Sequence, residues 1–386
     1  MKIGIVTFWS SSNNYGQILQ CYALQKYLRN QGHDAFLIRY KPQQSNWGVF
    51  RVFVKLKLFL SNLFKKRTPR NCIDKNIIEE RNFTYRKFEE FRSEFLKKTT
   101  ITYKSIGELR SYPPEADVYV CGSDQIWNGS MIESGRLGYF LRFGDVSIRR
   151  VAYAVSGGLT LKWYEKPIFK RCIKVFDRTG TREESTLKAC KRFGRDDAVI
   201  TIDPTLLIEK CDFDSILVNS KIEMTEPFLF FYVINVKSKE EIYWSQISRF
   251  AKEENLNARI VYSSGYIPAR ELVDDCESVQ ATIPEWLSFI RLAKIVFTTS
   301  YHGVAFCIVY HRPFYAILLQ NEYAMGNDRI ISLLTKVGLL DRIIRNEDDL
   351  SLVSIKTEID WENVDERLQE LRQSSIEFLN DALHNE

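Results

Sequence analysis

Residues 2–40 read KIGIVTFWSSSNNYGQILQCYALQKYLRNQGHDAFLIRY. Ile3, Ile5 and Val6 make a short β-rich apolar run, and the polar loop Ser10 to Asn14 follows at once. Ile18, Cys21, Leu24 and Leu28 then recur at the spacing of one buried helical stripe, which predicts a helix from about Tyr15. Gly32 stands where a helix C-cap belongs, and Phe36 to Ile38 read as a second strand. The stretch is thus a βαβ unit, whose strands should be parallel and whose crossover should be right-handed. Ligands of such sheets bind outside the carboxyl ends of the strands. The loop through Asn13, Asn14 and Tyr15 is therefore expected to face a ligand, with spare backbone N–H groups at a helix N-terminus. Any parallel α/β protein can open in this way, so the geometry alone names no ligand.

The alternation continues along the chain. Strands are expected at Val118–Cys121, Tyr139–Phe143, Val151–Val155, Val175–Thr179 and Val199–Ile202, with a helical stretch at Lys75–Lys98. Asp203-Pro204 stops the last strand, because proline cannot continue a ladder. The polar stretch 209–227 reads as a connection. Beyond it the pattern restarts with strands at Phe228–Ile234, Arg259–Tyr262, Lys294–Thr299 and Phe314–Leu318. Helices are expected at Lys239–Glu253, His302–Tyr310 and Asp328–Val337. Thr282-Ile283-Pro284-Glu285 is a capping box opening a further helix that should run to about Leu292. Trp361, Val364, Leu368, Leu371, Ile376, Leu379 and Leu383 lie on one stripe of a long terminal helix. The expected organisation is an N-terminal Rossmann-like domain over 1–215, a second over 216–345, and a terminal segment over 346–386 packing back on the first. Two such parallel α/β domains place both sets of strand ends against a shared cleft.

Composition agrees with two domains: 386 residues, 45% of them hydrophobic. Met1-Lys2 leads straight into a core strand, so no signal peptide is expected, and no apolar stretch approaches the roughly 18–20 residues of a membrane span. Eight scattered cysteines without a C-x-x-C pair suggest reduced thiols and a cytoplasmic protein, and four histidines make a zinc site an unpromising expectation. The net charge of +5 is too modest to argue for nucleic acid. Its distribution says more, because residues 41–70 carry eight Lys/Arg and no acidic residue, leaving −3 on the rest. Phe and Leu interleave with those charges. Such a segment suits either peripheral contact with an anionic membrane or a buried helix whose charges snorkel outward.

His302 follows the strand KIVFTT and opens HGVAFCIVY, so its ring should sit at a cleft-facing helix N-terminus, able to give or take a proton. Ser300 and Gly303 flank it, and glycine there would let the backbone approach an anion. Asp124 in CGSDQIW, directly after a strand, suits acid/base work, or else caps a turn. Gln125 would read hydroxyls, and Trp127 would offer a face to a sugar ring or belong to the core. Arg182 at a strand-to-helix turn presents a planar fork for phosphate or carboxylate, or pairs with Glu183 or Glu184. Arg329 is a second anion candidate. Ser156-Gly157-Gly158 is a phosphate cradle or a plain turn.

The segments NNYGQILQCYALQ (13–25), DVYVCGSDQIWN (117–128), TREES (181–185), DPTLL (203–207), TTSYHGVAFCIVYHRPF (298–314) and NDRIISLLTKVGLLDR (327–342) together resemble the polysaccharide pyruvyl transferase family. The resemblance implies a GT-B-like fold of two Rossmann-like parallel-sheet domains facing a cleft. It also implies a transferase that moves pyruvate from phosphoenolpyruvate onto sugar hydroxyls of a surface glycan or its lipid-linked precursor, forming a ketal. Phosphoenolpyruvate would be a substrate, with no cofactor and no metal. By that resemblance Arg182 would bind the donor. On the residues themselves, Ser300, Gly303 and Arg329 are expected to join the donor side, and His302 and Asp124 to form the acid/base pair, with neither assigned as acid or as base. Asn13, Asn14, Tyr15, Gln125 and Trp127 are expected on the acceptor side. A tyrosine at 301 departs from the R-L-H or S-F-H that often precedes the glycine in the family. A nucleotide-sugar glycosyltransferase on the same architecture, or a non-catalytic glycan-assembly protein, stands as the alternative.

Overall fold

The computed structural model describes residues 1–43, 83–128, 135–157, 161–218, 220, 222, 226–263, 273–351 and 358–384. From residue 44 to 70 the basic segment lies outside the described residues, as do Gly158 and residues 75–82 of the expected helix Lys75–Lys98.

Two parallel sheets of six strands form the frame. The first contains β1 (Lys2–Val6), β2 (Asp34–Leu37), β3 (Val118–Cys121), β4 (Arg149–Val155), β5 (Arg178–Thr181) and β6 (Val199–Ile200), in the order β2-β1-β3-β4-β5-β6. The second contains β7 (Phe228–Val233), β8 (Asn257–Tyr262), β9 (Glu277–Ser278), β10 (Ile295–Thr298), β11 (Phe314–Ile317) and β12 (Ile343–Ile344), in the order β12-β11-β10-β7-β8-β9. Every ladder is parallel. A parallel sheet is covered on both faces, so its strands are apolar throughout and alternate only in which core they enter. Ile3, Ile5, Val118, Val120, Phe228, Phe230, Tyr232 and Val296 enter one core that runs without a break from the first sheet to the second. Val6, Tyr119 and Cys121 turn to the outer side of the first sheet, and Leu229, Phe231, Val233 and Phe297 to that of the second. A slip of one residue would exchange the two sets, which fixes the register.

The first helix, Tyr15–Asn30, is capped by the Asn14 side chain, which accepts from the Gln17 N–H. Ile18, Cys21, Leu24 and Leu28 are buried as the stripe predicts, but so are Leu19, Tyr22 and Ala23. The reason is two-sided packing: the sheet covers one face, and the helices Pro204–Leu207 and Tyr301–Val309 cover the other. The capping box at Thr282 forms both of its bonds and starts the helix Ile283–Leu292. The terminal helix Trp361–His384 lies against β4 and the helix Pro204–Leu207. Ser375 Oγ accepts from the Ile202 N–H at 3.0 Å, Arg372 Nε donates to the Leu206 carbonyl at 2.7 Å, and Arg178 pairs with Asp381 at 2.6 Å.

Five expectations are corrected. The described part of the stretch expected as one helix at Lys75–Lys98 is split by Lys87 at φ 52° into Phe83–Arg86 and Phe88–Phe95, and the strand expected at Val175–Thr179 forms at Arg178–Thr181. Tyr139–Phe143 is not a strand: Arg136–Tyr139 is one helical turn, and Leu141 at φ 51° breaks any extended run. Its aromatics cap the outer core, with Phe140 stacked on Trp127, and a short apolar run of that kind carries no period that separates the two states. The helix expected at Lys239–Glu253 is split by Tyr243 at φ 53° into Glu240–Ile242 and Trp244–Glu253. The connection after residue 209 contains the helix Lys210–Leu217, whose Phe213 and Ile216 are buried.

Candidate active site

The carboxyl ends of β3, β5 and β6 and the helix after β10 bring Asp124, Arg182, Asp203 and His302 together. The turn after β3 is held from several sides. Gly122 has φ 114°, and a Cβ on it would stand 2.0 Å from the Tyr153 carbonyl oxygen, so only glycine fits. The Ser123 N–H donates to Gln20 Oε1 (3.0 Å), and its carbonyl accepts from Thr7 Oγ1 (3.0 Å). Gln20 reaches back from the first helix and also donates to Thr7 Oγ1 and the Phe8 carbonyl. Asp124, at φ 70°, presents its carbonyl to the N–H groups of Ile126 (2.8 Å) and Ser156 (3.0 Å). Aspartate tolerates this left-handed conformation better than most residues, and the surrounding bonds hold it there.

Asp203 is the hub. It is fully buried and caps the helix Pro204–Leu207, its Oδ1 accepting from the Thr205 N–H (3.0 Å) and Thr205 Oγ1 (2.8 Å). Its Oδ2 accepts from Arg182 Nη1 (2.6 Å) and Ser123 Oγ (2.9 Å) and stands 3.6 Å from His302 Nε2. A buried carboxylate is tolerable only when so paired. Burial alone would raise its carboxyl, but His302, Arg182 and the Thr205 N–H together hold it well below the usual carboxylate range.

Arg182 is buried as well. Its guanidinium lies 4.4 Å over the Tyr301 ring, with Nη2 3.6 Å from Asp124 Oδ1 and Nε 3.8 Å from Glu183 Oε2. Burial pulls its affinity for the proton down, and Asp203 first among its neighbours more than restores it, so the group stays charged. Among the described residues, Arg182 Nε and Nη2, Glu183 Oε2 and His302 Nε2 are buried without a hydrogen bond. Such atoms in one place are uncommon and call for a partner.

The second domain faces this group with two further cations. Arg329, in the helix Asn327–Lys336, donates from Nε to the Gly326 carbonyl at 3.2 Å. Burial and then the charge of Arg182 lower its guanidinium. Lys336 is lowered by burial, an effect that Glu184 and Glu183 of the first domain partly oppose, and its Nζ donates to Ser332 Oγ (3.1 Å).

Residues far apart in the sequence meet at His302. A Cβ on Gly16 would lie 2.1 Å from His302 Nδ1 and 2.6 Å from His302 Cβ, so the imidazole rests against the first helix where it has no side chain. Ser300 caps the helix Tyr301–Val309. Gly303 serves packing: a Cβ there would meet Thr298 Oγ1 at 2.3 Å, so glycine lets this helix sit on β10.

A sequence model described as polysaccharide pyruvyl transferase matches residues 14–321, from the cap of the first helix to the loop beyond β11. The chain belongs to this family. Among solved structures, the UDP-GlcNAc 2-epimerase of Methanocaldococcus jannaschii, in complex with UDP-GlcNAc and UDP, is similar at 11% identity and a TM-score of 0.50, over 97% of this chain and 100% of that one. The UDP-N-acetylglucosamine 2-epimerase of Rickettsia bellii is similar at 11% identity and 0.48, over 99% and 98%. The glycotransferase of kitacinnamycin is similar at 10% and 0.49, over 99% of each chain. At such identity the likeness to the Methanocaldococcus jannaschii enzyme speaks for the fold alone; with the two parallel sheets, that fold is a GT-B-like arrangement of two Rossmann-like domains. No curated protein matches the sequence.

In this member of the polysaccharide pyruvyl transferase family, the site residues expected from sequence divide into two groups. His302, Asp124, Arg182 and Arg329 converge. Trp127 does not offer a face to a sugar: it is buried and stacked on Phe140, with ring centroids 4.9 Å apart. Tyr15 is fully buried, stacked on Trp286 at 5.1 Å and donating its hydroxyl to the Ala281 carbonyl at 2.6 Å, so it ties the domains together. Asn14 is a helix cap, and the Asn13 carbonyl accepts from Ser263 Oγ (2.7 Å) of the second domain. Gln125 is half-buried beside Asp124. The Gly157 N–H is taken by Glu183 Oε1 and Thr186 Oγ1, so it is not a spare phosphate donor. Sequence reasoning missed Asp203, read only as a strand stop, together with Gln20 and Lys336. The available signal for Asp203 was its place directly after a strand, the same place as Asp124.

Proposed function

We propose that the protein transfers pyruvate from phosphoenolpyruvate to two hydroxyls of one sugar in a surface glycan or its lipid-linked precursor, forming a cyclic ketal. It would work in the cytoplasm, with residues 41–70 giving peripheral contact to the membrane that carries the acceptor. The observation that carries the reading is the buried Arg182 of the first domain, whose Nε and Nη2 lack a hydrogen bond among the described residues, with Arg329 of the second domain near enough for the two charges to oppose each other. A buried and a half-buried cation contributed by opposite domains would be stabilised by a dianionic group between them, and phosphoenolpyruvate offers both a phosphate and a carboxylate. The unsatisfied Arg182 Nε and Nη2 supply donors for it.

The chemistry needs one proton delivered to the methylene carbon and two removed from the attacking hydroxyls. The C2–O bond to phosphate breaks, phosphate leaves as the monohydrogen dianion, and the ketal keeps the carboxylate. His302 is the group suited to pass the first proton, and Asp124 stands beside the same cations. The family and this geometry support a transferase; the donor is our reading. Incubation with phosphoenolpyruvate and a crude lipid-linked glycan should release phosphate and give a product carrying an acid-labile pyruvate ketal. Phosphate release without any gain of pyruvate by the glycan would refute the ketal.

A further inference from the structure

We propose that Asp203 is a positioning residue that fixes the tautomer of His302, placing the proton on Nε2 and leaving Nδ1 as the nitrogen that exchanges protons with substrate. Asp203 Oδ2 faces His302 Nε2 at 3.6 Å, and Nε2 is buried with no hydrogen bond among the described residues. The nitrogen of an imidazole that faces a carboxylate carries the proton, and the other nitrogen is left to react. The orienting carboxylate cannot turn away. Its second oxygen is held by the Thr205 N–H and hydroxyl, and Oδ2 itself by Arg182 and Ser123. Contacts of this kind are often long before substrate arrives and shorten in the complex. Here shortening would draw the second domain toward the first, because Asp203 follows β6 and His302 follows β10.

Asp203 is not the proton carrier, since four donors hold it as a carboxylate. Gly16 lies against the other edge of the ring, where a Cβ would stand 2.1 Å from Nδ1, so the absence of a side chain is what gives that edge its room. In the reaction above, the ring starts as imidazolium and gives its Nδ1 proton to the methylene carbon; the neutral Nε2–H tautomer that remains takes one back at Nδ1 from an attacking hydroxyl. Asp203 also neutralises Arg182, so removing its charge has two opposite effects. His302 loses its orientation, and Arg182 becomes a stronger anion receptor.

The proposal rests on His302 being the proton carrier, but its first test does not depend on the donor. With only four histidines in the chain, ¹⁵N-histidine spectra of the whole protein are sparse, and His302→Gln identifies the signal. At a pH where the ring is neutral, the unaltered protein should show the proton on Nε2. Asp203→Asn should shift it toward Nδ1, because the amide can present its N–H₂ to the ring. The same variant should lose about 10²-fold or more in kcat, against about 10⁴-fold for the corresponding change in serine proteases. Its affinity for phosphoenolpyruvate should be unchanged or tighter. A neutral His302 protonated on Nδ1 in the unaltered protein would overturn the proposal even if Asp203→Asn did not fold. Equal losses of affinity and turnover would overturn it too, by making Asp203 a structural residue. Failure to bind phosphoenolpyruvate would instead count against the donor and leave the tautomer result standing.

Discussion

Replacing Gly16 by alanine should disable the protein while leaving it folded. The new methyl would lie 2.1, 2.3 and 2.6 Å from Nδ1, Cγ and Cβ of His302. Comfortable carbon contacts begin near about 3.5 Å, so the ring must retreat by about 1 Å or more. Rotation about the side-chain bonds cannot relieve this, because the Cβ itself is too close; the start of the helix Tyr301–Val309 must shift. Overpacking of this kind costs about 1–3 kcal/mol. Alanine gives back about 1 kcal/mol by favouring the first helix, which leaves a net loss of about 0–2 kcal/mol. A displacement of about 1 Å at a reacting group is worth about 10² in rate. Turnover followed by phosphate release should therefore fall about 10²-fold, while the urea midpoint moves little. Wild-type turnover in Gly16→Ala, with stability raised by the helix preference alone, would refute the contact between the two motifs.

Other outcomes follow from the same geometry. Asp203 has a carboxyl well below its ordinary value of 3.8 in the folded protein, so the unfolded chain takes up its proton first as pH falls. The stability it contributes is complete above that ordinary value and drains away below it. Urea midpoints should therefore decline more steeply from pH 5 to pH 3 in the unaltered protein than in Asp203→Asn. His302→Gln should lower turnover about 10²-fold or more with little change in donor affinity. Arg329→Ala should chiefly weaken donor binding, by about 1.5–3 kcal/mol for a lost charged hydrogen bond, and equal small effects from both variants would misplace the donor site. Co-sedimentation with anionic vesicles should fall with salt and with neutralisation of Lys65, Lys66, Arg67 and Arg70; indifference to both would leave residues 41–70 without a membrane role.

Much of the fold was legible because parallel strands and their helices leave strong local patterns. The run Phe228–Val233, the capping box at Thr282 and the stripe from Trp361 all carry their structure in a few residues. What escaped was decided by distant partners. Trp127 looks like a sugar platform in sequence, and only the arrival of Phe140 and Phe169 on its ring makes it core. Tyr15 likewise is spent on Trp286, far along the chain. β9 and β12, two residues each, are too short to carry a period. Asp203 was hidden by Pro204, because a strand stop accounts for the dipeptide without any role for the carboxylate. The charges that make it a hub, Arg182 and His302, come from β5 and β10 and have no local signature.

The donor is the central claim, and thermal unfolding with candidate ligands tests it most directly. A ligand that binds only the folded protein stabilises it by about 2.7 kcal/mol at a hundred times its dissociation constant. Phosphoenolpyruvate should raise the midpoint with the logarithm of its concentration above the dissociation constant, with or without a chelator, and inorganic phosphate should compete. Arg329→Ala should lose most of the shift, and His302→Gln should keep it. A shift with UDP-sugars and none with phosphoenolpyruvate would contradict the account and make the protein a nucleotide-sugar enzyme.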